Sequence, residues 1–82
     1  MKFGITERDY LMRLQKQEFK CAICGQSLFL TDQALDHDHA TGVVRGILHK
    51  NCNVLLGMAQ DNPDILLNAA VYLERQNTAS SA

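Results

Sequence analysis

The sequence predicts a small α+β domain, a β-hairpin set among helices, with a core too slight to hold the fold alone. Three observations lead there: the length, the periodicities, and the spacing of cysteine and histidine. At 82 residues, 46% hydrophobic and with a formal net charge of −1, the composition is globular and argues against disorder. Two domains of ~40 residues would each need disulfides, metals or a partner to fold, so residues 1–82 are read as one domain. With no Trp, two Tyr and three Phe, the core is thin, and near ~70–80 residues such a core gives only a few kcal/mol. A staple is expected.

The elements follow in order. Thr6 reads as an N-cap and Asp9, three residues on, completes a capping box; Ile5 and Tyr10 stand at the two positions of a hydrophobic staple. This first helix is expected to run to about Phe19, with Tyr10, Leu11 and Leu14 inward and Arg8, Arg13 and Lys16 outward or sideways. Cys21 to Gly25 is a tight turn in which Gly25 is free to take a positive φ. Leu28-Phe29-Leu30 reads as a short apolar strand or buried turn. From Ala34 to His39 the chain alternates, with Leu35, His37 and His39 on one side and Asp36 and Asp38 on the other. Ala40-Thr41-Gly42 turns the chain and residues 43–48 return as a strand, which makes a hairpin. A second helix from about Lys50 carries Val54, Leu55 and Met58. Asn62 then caps a third, with Pro63 at its first position and Asp64 in its first turn. That helix is expected to end near Gln76, presenting Leu66, Ala69, Ala70 and Leu73 on one face, before a frayed tail over 76–82.

Charge and hydropathy exclude some classes. The longest apolar run, residues 54–59, is far below the ~20 residues that span a bilayer, so no membrane role is expected. Met1-Lys2-Phe3-Gly4 lacks the apolar stretch of a signal peptide, and a cytoplasmic location is expected. Seven of the eight basic residues fall in the first fifty positions, against six acids there, so a basic face is open but not required. Three cysteines without an export signal favour metal ligation over disulfide pairing.

The cysteines supply the staple. Cys21-x-x-Cys24 and His49-x-x-Cys52 are two ligand pairs separated by twenty-four residues. The first pair sits on a tight turn, and the second, at i and i+3, faces one way from a helix start. Four such donors match tetrahedral structural zinc of the Cys3His type, whose binding energy becomes folding energy. A lone C-x-x-C is equally a redox pair or two buried thiols. The second pair and the absence of a βαβ pattern turn the reading toward zinc.

Asp36-His37-Asp38-His39 is the densest chemistry in the chain. By itself it is equally well a solvated edge strand, since charge on an edge discourages aggregation. Its setting adds to it. Cys-Ala-Ile-Cys-Gly (21–25), Leu-Asp-His-Asp-His (35–39), Val-Arg-Gly-Ile-Leu (44–48) and Cys-Asn (52–53) together resemble the endonuclease VII family of HNH, or His-Me finger, nucleases. Leu56-Gly57, Asp61-x-Pro63 and Tyr72-Leu73 continue the resemblance, which covers about Ile5 to Leu73. One departure stands at His49, where the family usually has Cys.

The resemblance implies a zinc-stapled ββα-metal core with flanking N- and C-terminal helices. It implies His37 as the general base that deprotonates the attacking water, and Asp36 and Asn53 as ligands of one divalent ion, magnesium or manganese, at the scissile phosphate. It also implies His39 as an auxiliary residue that orients the site or contacts phosphate. These roles are chemically sound: imidazole titrates near neutrality, and a hard cation takes oxygen donors. In a regular strand Asp36 and His37 point to opposite faces, so the strand is expected to end, twist or bulge between them. Arg45 is read as a hairpin salt-bridge partner or a phosphate contact, with a lean to phosphate. The function implied is a metal-dependent DNA endonuclease that nicks duplexes or cuts branched junctions, in the host cytoplasm if phage-encoded. The rival is a non-catalytic zinc-stabilised module that binds DNA or protein. A homodimer through the terminal helices and a single-chain nicking enzyme both stay open.

Overall fold

The computed structural model describes residues 4–81, with side chains described as far as Arg75. The order is α1 (Glu7–Lys16), β1 (Gln33–His37), β2 (Val44–His49), α2 (Lys50–Met58) and α3 (Pro63–Ser81). The two strands form one antiparallel sheet, and α2 packs on both of them while α1 packs on β2. The hairpin seated on a helix is the ββα arrangement expected, in a small α+β fold.

The capping box forms as the sequence prescribes: the Asp9 amide donates to Thr6 Oγ1 at 3.1 Å and the Thr6 amide to Asp9 Oδ2 at 3.3 Å. The helix ends at Lys16, three residues before the expected Phe19. Glu18 and Phe19 both take left-handed backbone (φ 55° and 57°). Their amides close back on Gln15 and Leu14 carbonyls at 3.0 and 2.8 Å, which is a Schellman ending made without glycine. Of the three residues expected inward, Leu14 is buried and Tyr10 packs against the core, but Leu11 is exposed.

Gln17, the residue after α1, takes the place of a third strand. Its Nε2 donates to the Lys20 and Ile47 carbonyls, each at 2.8 Å, and its Oε1 accepts the Ile47 amide at 2.9 Å. A side-chain amide thus satisfies both backbone groups of a fully buried strand residue. Gly46 gives this amide room: a Cβ there would stand 3.3 Å from Gln17 Oε1, a tight contact.

The core is Leu14, Cys21, Leu28, Ile47 and Leu48, with Tyr10, Leu35, Cys52 and Leu56 packed against it. Leu28 and Ile47 are fully buried. The apolar triplet beginning at Leu28 buries only that residue; Phe29 and Leu30 stand exposed on a turn, because the Leu28 carbonyl accepts the Thr31 amide and hydroxyl and closes the turn there. Strand β1 stops at His37, so His39 lies beyond it on the hairpin turn, and β2 runs one residue past the expected Leu48 to His49. In the turn, Gly42 (φ 77°) donates to the Asp38 carbonyl at 2.7 Å.

Asn62 caps α3 as expected, accepting the Asp64 amide at 2.9 Å. The helix continues to Ser81 instead of stopping near Gln76. The tail expected over 76–82 falls on side chains outside the described residues, and Ala82 lies outside them altogether. Leu66 is half-buried, whereas Ala69, Ala70 and Leu73 are exposed together with Leu67, Val71 and Tyr72. Beyond Leu66, the face expected to pack inward stays exposed among the described residues. Its projection explains a radius of gyration of 15.2 Å, against the ~12 Å of a compact chain this long.

Candidate functional site

Cys21, Cys24, His49 and Cys52 come together at one end of the hairpin, each offering a donor atom within 4.8 Å of the others. Local structure explains the meeting. Gly25 (φ 74°) donates to the Cys21 carbonyl at 3.0 Å and folds the first pair into a knuckle. His49 is the residue that caps α2, and Cys52 follows in its first turn, which turns both toward the knuckle. His49 Nε2 lies 2.9 Å from the Ser27 carbonyl and Nδ1 lies 3.2 Å from Cys24 Sγ. A carbonyl only accepts, so the proton sits on Nε2 and the Nδ1 lone pair faces the thiols. An outer hydrogen bond of this kind fixes the ring and tautomer of a ligating histidine. The donor set and its closeness fit tetrahedral zinc, and His49 takes the ligand position that the sequence assigns to it.

The thiols are electrostatically unlike one another. Burial raises Cys21, but the backbone amides of Cys24, His49 and Ile23, with the His49 ring, outweigh it and bring the thiol down to about 6. Burial and the neighbouring Cys21 and Cys24 push Cys52 up to about 11. His49 is raised above its ordinary value, first by the Ser27 carbonyl and then by the Cys21 thiol. A ready thiolate beside a reluctant one suits a set that a cation completes.

The second cluster lies where the hairpin meets α2 and the turn after it. The register pairs Asp36 with Gly46 and His37 with Val44, leaving Arg45 as the extra residue of a bulge. The irregularity anticipated between Asp36 and His37 is therefore present, with the inserted residue on β2. Asp36 is buried, 5% exposed, and lines a cleft of about 320 Å³ with His39, Asn53, Leu56, Gly57 and Asp61 among its walls. His37 is not among the residues that line this cleft; its ring lies 4.9 Å from that of His39, which does line it, tilted by 41°.

Asp36 is fully engaged. Arg45 Nε donates to its Oδ2 at 2.7 Å and Arg45 Nη2 to its Oδ1 at 3.0 Å, a bidentate pair. Arg45 Nη2 also donates to Asp61 Oδ2 at 3.3 Å. The Asp36 hydrogen bond, then its charge, then Asp61 hold Arg45 further toward its charged form. Of the two readings of Arg45, the structure realises the salt bridge. The donor types in the cleft, a carboxylate and the Asn53 amide, fit a hard cation, and the guanidinium supplies positive charge at the carboxylate such an ion would use. Asp38 makes no hydrogen bond to Arg45 and does not line this cleft; its Oδ1 accepts the Ala40 and Thr41 amides at 2.8 and 3.0 Å and braces the turn.

Three participants were not visible beforehand. Gln17 and the Ser27 carbonyl act through contacts 30 and 22 residues distant, and a backbone carbonyl carries no sequence signal. Asp61 entered the sequence reading with no role at the site. Its carboxylate enters the cleft because α2 ends in a second glycine-free Schellman turn: Gln60 (φ 58°) donates to the Gly57 carbonyl and Asp61 (φ 55°) to the Leu56 carbonyl.

The recombination endonuclease VII family profile matches residues 1–75 of the chain. The Gene 59 protein of Mycobacterium phage D29 is 37% identical over 75 residues, covering 89% of this chain and 46% of that protein. The Gene 59 protein of Mycobacterium phage L5 is 37% identical over 73 residues, covering 87% and 44%. The chain spans less than half the length of these curated relatives. No solved structure matches it.

Proposed function

The chain belongs to the recombination endonuclease VII family, and from that premise we propose that it is an HNH-type, metal-dependent DNA endonuclease, folded as one domain over residues 1–82. His37 is the general base, taking a proton from the water that attacks the phosphorus. His39, in ring contact with His37, orients it. Asp36 and Asn53 hold a magnesium or manganese ion, which when bound stabilises charge on the phosphate and the leaving 3′ oxygen. Cys21, Cys24, His49 and Cys52 hold a structural zinc. Cys52 and Asn53 are adjacent, so the zinc set fixes the helix start that carries the second oxygen donor.

The observation that carries this reading is the bulge beside Asp36 and His37, with Asp36, His39 and Asn53 on one cleft wall. DNA is the substrate, and Arg8, Arg13 and Lys16 on α1 are candidates for backbone phosphate contacts. The exposed apolar side chains of α3 support a homodimer through that helix. Among the described residues no helix is long and apolar enough to cross a membrane. The phage relatives support action in a host cytoplasm.

The test is cleavage of supercoiled plasmid and of a four-way junction, with and without magnesium, by the chain and by His37→Ala. Magnesium-dependent cutting that falls by about 10²-fold or more in the variant is the expected result, and the preferred substrate then separates nicking from junction cleavage. The second reading, a zinc-stabilised module that binds without cutting, is favoured by one observation: Arg45 occupies both oxygens of Asp36. Binding without cutting in both magnesium and manganese would establish it.

A further inference from the structure

The ion-pair chain Asp36–Arg45–Asp61 has a role beyond holding the hairpin together. Asp36 is the most buried charged group in the described structure, and a charge so placed needs a partner at all times. Arg45 is that partner, yet an arginine with both its useful edges on Asp36 would keep the carboxylate from any cation. The arrangement differs from a closed pair in one respect: Nη2 is shared, at 3.0 Å from Asp36 and 3.3 Å from Asp61. Asp61 is delivered to that position by two successive left-handed residues, Gln60 and Asp61, a backbone that costs most side chains energy. Its side chain is partly exposed at 27%, and Arg45 at 35%, so the second pair lies on the outer side of the first. Asp61 also lines a neighbouring cleft of about 430 Å³ with Arg45, Asp38 and His39.

We propose that Asp61 is a positioning residue of the site: by sharing Arg45, it gives the guanidinium somewhere to go, and so sets how readily Asp36 is released to a divalent cation. This rests on the divalent-ion role given to Asp36 above. With Asp61 present, Arg45 leaves Asp36 and keeps a charged partner. Without it, releasing Asp36 leaves Arg45 without a hydrogen-bonded carboxylate, with only the charge of Asp38 nearby, and the cation must displace a fully committed bidentate pair.

The experiment is a double-mutant cycle on Mn²⁺ affinity in the zinc-loaded chain, read from the paramagnetic resonance signal of free Mn²⁺ and not from activity. Asp61→Asn is expected to weaken Mn²⁺ binding about fivefold, the effect of roughly one lost surface-side ion pair during release. In an Arg45→Gln background the same Asp61→Asn change is expected to alter affinity less than about twofold, because coupled residues lose their effect when the partner is gone. Where Arg45→Gln does not fold, Arg45→Lys replaces it in the cycle, since a single ammonium cannot span both carboxylates. An equal loss in both backgrounds overturns the proposal, because Asp61 would then act as a bare charge or a direct ligand. No loss in either background also overturns it. Mn²⁺ binding that Asp36→Asn leaves unaltered removes the divalent-ion reading itself, and this inference falls with it. That outcome is distinct from binding that depends on Asp36 but not on Asp61.

Discussion

The knuckle and the cleft share β2 and α2, and Cys52 of one adjoins Asn53 of the other, yet they are prepared in opposite ways. In the knuckle four donors already converge within 4.8 Å, and the tautomer of His49 is set by Ser27. In the cleft the principal oxygen donor is held by an arginine. Chemistry accounts for the contrast. In the knuckle backbone amides and the His49 ring stabilise the Cys21 thiolate, whereas a buried carboxylate without a cation must borrow one. On the reading proposed above, the knuckle would hold a metal as part of the fold, and the cleft would exchange its counter-charge.

The largest expected effect sharpens that division. Chelation of zinc, or Cys52→Ser, is expected to abolish cooperative unfolding, because structural zinc contributes ~10–16 kcal/mol in small zinc domains and the whole fold of such a chain is worth only ~5–15 kcal/mol. Metal analysis should find about one zinc per chain, and circular dichroism before and after chelation reads the outcome. A zinc-free chain that still melts cooperatively would erase the distinction between the two regions.

The cleft should respond in activity and not in folding. Asn53→Ala is expected to lower magnesium-dependent cleavage by about 10²-fold, the scale of a lost ligand to a charge-stabilising ion, while zinc content stays the same. Loss of zinc in that variant would mean that Asn53 belongs to the knuckle. Smaller again is Gln17→Ala, which strips the partner from the buried Ile47 amide and leaves the Ile47 carbonyl to the Ala22 amide at 3.4 Å. A cost of about 1–3 kcal/mol follows from unsatisfied buried groups, measured as a shift in denaturant midpoint at constant slope.

How much the sequence disclosed follows the same line between near and far. The knuckle was legible because C-x-x-C and H-x-x-C are local pairs whose geometry comes from one turn and one helix start. The capping box, the Asn62 cap and the need for a bulge beside His37 were legible for the same reason. The Arg45–Asp61 pair was not, since it depends on a turn ending α2 that uses Gln60 and Asp61 where sequence reasoning looks for glycine. The same device ends α1 through Glu18 and Phe19, and it shortened that helix against expectation. Helix α3 shows the other limit. Spacings of three and four at Leu66, Ala69, Ala70 and Leu73 mark an apolar face correctly, but periodicity does not say that a partner for it exists within the same chain.

The smallest effect concerns pH, and it orders the two regions. Asp38 is held below its ordinary value, first by the Thr41 amide and then by that of Ala40. A depressed carboxyl contributes stability above its unfolded value near ~3.9, and that contribution is lost only as pH falls through the lower folded value. Protons reach the knuckle earlier. His49 sits above its ordinary value because of Ser27, Cys21 lies near about 6, and every zinc ligand must be deprotonated to bind. Acidification should therefore release zinc, and with it the fold, while Asp38 is still charged. Asp38→Asn is expected to lower the thermal midpoint slightly at pH 7 and to leave the acid midpoint unmoved, with zinc release followed by a colorimetric chelator in the same titration. An acid midpoint that Asp38→Asn displaces would put the turn beside the cleft, and not the knuckle, in control of acid unfolding.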